Sequence, residues 1–183
     1  MLNDMQVKNN KGISIIEALV SITIISVGII GIMSLILQSI QVRYINKNTL
    51  IASQLAQEGM EIIRNTRDRN WLQGNFYASS TAKEGQTYTY AVDISDLVGT
   101  NPNFVPVTDI NDAETKLKIC DGLYHSNSYS CSNATSTTFK RMITTNMDQT
   151  ASSVQVICLI QWKDKSNTFQ FSARELLYNW TGL

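Results

Sequence analysis

The sequence predicts an α+β fold: one long N-terminal helix, with a membrane half and an amphipathic half, packed on a small antiparallel β-sheet. Three observations carry this expectation. Residues 13–37 form an apolar run with a single charge, Glu17. Residues 38–69 continue without proline and keep apolar side chains at steps of three or four, the period of a helix face. Beyond Trp71 the apolar period changes to two, the period of strands. A run of strands after one helix is an α+β pattern.

The chain has 183 residues, with Lys plus Arg and Asp plus Glu balanced at 15 each. No global field therefore favours nucleic acid, and no nucleic-acid partner is expected. Hydrophobic content is 43%, concentrated at the start of the chain. As a helix, the run 13–37 spans about 37 Å, against a hydrocarbon core of about 30 Å. It is the one candidate membrane span. The expected organisation is a leader at 1–12, a hydrophobic helix at 13–40, an amphipathic half-helix at 41–70 and a sheet domain at 71–183.

A secretory signal has a shorter apolar run and a small-residue cleavage site after it. Here the punctuation comes first: Lys8-Asn9-Asn10-Lys11-Gly12, then Ile13-Ser14-Ile15-Ile16-Glu17-Ala18-Leu19-Val20. A carboxylate in an apolar helix costs about 2.5–3.5 kcal/mol at mid-span and less near an end, so Glu17 calls for a partner. Lys8, Lys11 and the terminal amine, offset by Asp4, face Arg43 and Lys47 across the run. Charge alone leaves the orientation nearly tied. Gly28 and Gly31 interrupt the apolar half, and either a packing notch or a stretch that loosens on assembly fits them.

In the second half the apolar stripe is Ile40, Tyr44, Lys47 or Asn48, Ile51, Leu55, Gly59 and Ile62, widened by Ala52, Ala56 and Ile63. Gln41, Gln54, Gln57, Glu61 and Arg64 lie opposite. This stripe is expected to be core, packed on the sheet. Arg64, Arg67 and Arg69 suit a helix C-terminus. With Glu58, Glu61 and Asp68 among them they read as a solvated, mixed-charge helix end. Asn70 is expected to stop the helix and Trp71 to anchor its exit.

Strands are expected at 86–94, 116–120, 139–145, 153–162 and 168–178, with 163–167 as a hairpin turn and 93–114 as loop. Val154, Val156, Cys158, Ile160 and Trp162 fall on one face. Cys120 and Cys131 enclose the polar stretch 121–130, and a disulfide between them suits an oxidising compartment at about 2–3 kcal/mol. Cys158 is then a buried thiol. His125, the lone histidine, falls in that polar stretch and reads as part of a flexible loop. The Cys and His spacing matches no zinc pattern, and without a second histidine the chain offers no nucleophile arrangement. Asp109, Asn111, Asp112 and Glu114 lack the glycine and terminal glutamate of a calcium loop and read as loop solubility. No metal, cofactor or catalytic role is expected.

Lys11-Gly12, the apolar Ile13, Ser14, two aliphatics and Glu17 together resemble the processing site of type IV pilin-like prepilins. The resemblance implies cleavage after Gly12 by a prepilin peptidase, from a leader on the cytoplasmic side. Ile13 would become the methylated N-terminus, although most pilins have phenylalanine there. Glu17 would be the fifth residue of the mature chain and would pair with the terminal amine of a neighbouring subunit, setting assembly register. Ala56, Glu58, Gly59, Glu61, Arg64, Asn65, Arg67, Asp68, Asn70 and Trp71 resemble the helix end of PilV-type minor pilins. Together these imply a subunit of a type IV pilus or a type II secretion-like pseudopilus, with three partners: the prepilin peptidase, other pilin or pseudopilin subunits, and the inner-membrane assembly platform. Such a chain crosses the inner membrane once before assembly and lies in an extracytoplasmic filament afterwards. The alternative is an uncleaved, signal-anchored extracytoplasmic binding domain.

Overall fold

Helix α1 runs unbroken over Ile15–Leu72 in the computed structural model, which describes residues 12, 14–72, 86–93, 104–127, 129–148 and 153–178. The chain divides into two units, Met1–Asn46 and Lys47–Leu183, and α1 contributes to both. In the first unit the apolar side chains from Ile15 to Tyr44 are exposed. The hydroxyls there are satisfied within the helix. Ser21 donates to Glu17 O at 2.8 Å, and Thr23 and Ser26 donate to Val20 O and Ile22 O at 2.7 Å each. An apolar helix with its polar groups bonded internally is compatible with a hydrocarbon surround, and α1 is long and apolar enough to cross a membrane.

In the second unit α1 buries Asn48, Ala52, Leu55, Ala56, Gly59, Met60, Ile62, Ile63 and Thr66. The predicted stripe is therefore core from Asn48 onward. Ile40 and Tyr44 are exposed, a correction: helical spacing marks an apolar face but not how much of it a sheet covers. The helix also runs through Asn70 to Leu72, and Trp71 is an exposed helical residue. Asparagine alone is a weak stop compared with glycine.

Among the described residues, seven strands form one antiparallel sheet: β1 (Thr87–Ala91), β2 (Val105–Pro106), β3 (Lys116–Cys120), β4 (Leu123–Ser126), β5 (Thr135–Asp148), β6 (Ser153–Asp164) and β7 (Asn167–Tyr178). β5 is the hub. One of its edges pairs with β6 from Phe139↔Trp162 to Asp148↔Ser153. Its other edge is shared, by β3 near its start and by β1 near its end. β4 and β2 complete the two branches, and β7 pairs with β6 in unbroken register.

The inward row of β5 is Phe139, Arg141, Ile143, Thr145 and Met147; that of β6 is Val154, Val156, Cys158, Ile160 and Trp162. Helix and sheet meet closely at Gly59. A Cβ there would lie 2.9 Å from Cys158 Sγ and 3.2 Å from both Arg141 Cδ and Ile143 Cδ1.

Three further corrections concern loops. The stretch 121–130 contains β4, because Asp121-Gly122 makes a two-residue turn with both residues at positive φ, 50° and 82°. Asp-Gly suits that left-handed geometry. The predicted loop 93–114 contains β2 and, at its end, the start of a 3₁₀ turn, Ala113–Thr115. Its segment 94–103 lies outside the described residues. His125 is buried on β4, not in a flexible loop.

Candidate processing and assembly site

Gly12 and Glu17, to which the resemblance assigns processing and assembly, fall at the start of α1. Ser14 O accepts the first helical bond, from Ala18 N at 3.2 Å, so Ser14 stands at the N-cap and Glu17 in the first turn. Ser-x-x-Glu is the spacing of a capping box, and an acid in the first turn complements the helix dipole. Glu17 is exposed. Gly12 is also exposed, and a Cβ added to it would meet no atom within 4 Å. The fold itself does not require glycine at that position. The same holds at Gly28 and Gly31. Ile13 and the rest of the leader lie outside the described residues.

The remaining flagged residues have structural surroundings. Cys120 and Cys131 are disulfide-bonded, with Cα atoms 6.4 Å apart. Cys158 is a buried free thiol, pushed up to about 12 by burial. His125 Nδ1 lies 2.9 Å from Asp93 Oδ1, and Ser126 N donates to Asp93 Oδ2. The imidazole stacks on Tyr129 at 4.1 Å between ring centroids. Aspartate thus ties the end of β1 to β4. Asp112 Oδ2 accepts from Thr108 N at 2.6 Å and Asp109 N at 3.1 Å. Those backbone bonds hold the Asp112 carboxyl below its ordinary range. Lys140 Nζ donates to Asn111 Oδ1 at 2.9 Å. Among the described residues no cluster of three or more His, Cys, Asp or Glu could hold a metal ion.

A further ion pair, between α1 and β5, has no local signal in the sequence. Arg141 is 1% exposed; Nη1 donates to Glu58 Oε1 at 2.8 Å and Nη2 to Val92 O at 2.9 Å. Glu58 therefore does not belong with the solvated helix end. Strand alternation signals only the place of Arg141 on the inward row with Phe139 and Ile143. The other charges do pair near the surface: Arg64 with Glu61 and Glu175, and Arg67 with Asp68.

The long apolar helix, its lone first-turn acid and the sheet define a single-pass, membrane-anchored α+β chain with a prepilin-type start. Comparison with family models matches residues 7–33 to the prokaryotic N-terminal methylation motif. That match supports a type IV pilin-like prepilin, a structural rather than catalytic class, with the prepilin peptidase and other pilins as its general partners. No curated protein and no solved structure matches the chain.

Proposed function

We propose that this chain is a structural subunit of a type IV pilus or a type II secretion-like pseudopilus, and within that class a minor pilin. Prepilin peptidase cleaves after Gly12, Ile13 becomes the mature N-terminus, and the subunit assembles through residues 13–40. Glu17 sets register by pairing with a neighbour's terminal amine. The observation that carries this reading is the junction at residues 12–17. A glycine that the described fold does not need directly precedes the apolar run, whose only early charge is Glu17. An isolated carboxylate on such a helix is costly without a partner. The Cys120–Cys131 bond suits the extracytoplasmic side, where disulfides persist.

N-terminal sequencing of protein recovered from surface fibres tests the reading. The expected first residue is Ile13; a chain in the membrane that keeps Met1 and never enters fibres would instead be a signal-anchored binding domain. Gly12→Leu should leave full-length precursor in the membrane, and mature-length protein from that variant contradicts the processing step. Glu17→Gln should insert normally yet fail to enter fibres. Unaltered incorporation removes the register role.

A further inference from the structure

The sheet's open edges are unequal. β2 and β4, which end its two branches, have 2 and 4 residues. β7 has 12, and among the described residues it pairs with β6 alone. Sheet proteins blunt such edges with bulges, proline, lysine or shortness. β7 has none of these: its register with β6 is unbroken, and its sequence, Asn167-Thr168-Phe169-Gln170-Phe171-Ser172-Ala173-Arg174-Glu175-Leu176-Leu177-Tyr178, contains neither proline nor lysine.

The hairpin settles which backbone groups face outward. Asp164↔Asn167 closes a two-residue turn, so that pair exchanges its hydrogen bonds and the pattern alternates from there. Thr168, Gln170, Ser172, Arg174, Leu176 and Tyr178 turn their N–H and C=O groups away from β6. Arg67 Nη1 donating to Tyr178 O at 3.4 Å agrees with this. An open groove of about 610 Å³ lies beside β7, its lining including Gln57, Met60, Glu61 and Arg64 of α1 and Ala173 and Glu175 of β7. A strand placed about 4.8 Å from β7 would send alternate side chains into that groove. That lining is mixed, apolar at Met60 and Ala173 and polar at Gln57, Glu61 and Arg64, so it fits side chains with an apolar stem and a polar end, while the exposed Leu176 and Tyr178 offer apolar contact on the other face.

We infer that the outer edge of β7 is a strand-addition site, where an extended segment of a neighbouring subunit pairs with this chain through its backbone. The segment carries side chains with apolar stems and polar ends toward α1, and apolar ones toward Leu176 and Tyr178. It comes from a subunit of different sequence. Two β7 edges meeting would form a two-fold contact that closes on itself, whereas stacking through one end of a helix runs head to tail. Among the described residues, the other edges of a second copy are too short to match β7. This inference rests on the filament reading above.

Amide hydrogen exchange, resolved by residue, compares the full chain in native fibres with the same chain solubilised in detergent. The amides of Gln170, Ser172 and Arg174 should exchange freely in detergent and at least about tenfold more slowly in fibres. Those of Phe169, Phe171 and Ala173 should be slow in both. Fibre-embedded chain whose outward amides stay fast overturns the site and leaves the filament reading standing. Absence of the chain from fibres overturns both. Slow outward amides in a detergent dimer show self-pairing and overturn a partner of different sequence. Ser172→Pro removes an outward N–H without breaking the β6 ladder. It should lower incorporation about tenfold while Phe171 and Ala173 stay protected, with Ser172→Ala unaffected.

Discussion

The two parts of α1 expose the same kind of side chain to opposite surroundings. Leu35, in the first unit, is 67% exposed, whereas Leu55, in the second, is 3% exposed. Both lie on one unbroken helix. The difference teaches that the helix has two sources of burial. From Asn48 onward its apolar face is satisfied by the chain's own sheet. Before that, the described residues of the chain supply no burial, and a bilayer or other subunits are what would supply it.

Arg141→Ala should break this comparison most severely on the sheet side. It leaves Glu58 of α1 without its cation, and removing one partner of a buried pair costs about 3–5 kcal/mol. Urea unfolding of the full chain in detergent, followed by tryptophan fluorescence, measures the loss. Membrane insertion should be unchanged. A wild-type midpoint would mean that the pair does not hold helix to sheet.

Paired leucine truncations sharpen the contrast along the helix. Leu55→Ala removes a core side chain and should cost about 2–5 kcal/mol in the same unfolding experiment. Leu35→Ala should leave that midpoint in place and weaken only fibre incorporation. Equal losses from the two truncations would contradict the division of α1. A smaller effect is expected at Gly59, where a Cβ has no room against Cys158 Sγ. Gly59→Ala should cost about 1–3 kcal/mol through overpacking, outweighing alanine's better helix propensity. The same substitution at Gly28, where the space is open, should be neutral or stabilising in detergent.

Local patterns carried most of the fold in the sequence. The apolar run, the helical stripe and the alternating strands are each read within a few turns of chain, as is the Gly12–Glu17 junction. What escaped depends on separation. Arg141 and Glu58 are 83 positions apart, and Asp93 and His125 are 32 apart. Nothing local to either residue announces its partner. β4 escaped for another reason: Asp121-Gly122 is a hairpin signal, but the polar residues after it masked a short strand. Ile40 and Tyr44 continue the buried stripe in pattern, and only the extent of the sheet separates them from it.

The smallest expected effect lies at the β6–β7 turn, on the sheet side of the comparison. Lys165 has φ 52°, in the left-handed region. For a residue with a Cβ that region costs roughly 1–2 kcal/mol, whereas glycine enters it freely. Glycine also gives the unfolded chain more freedom, which offsets about 0.5–1 kcal/mol. The first effect is the larger, so Lys165→Gly should stabilise the sheet unit by about 0.5 kcal/mol. Gly122, at φ 82° in the β3–β4 turn, is the native counterpart. The gain should appear as a higher urea midpoint with an unchanged slope, and fibre incorporation should not change, because the turn adds nothing to residues 13–40. A lower midpoint would mean that the lysine side chain contributes more at this turn than its backbone strain costs.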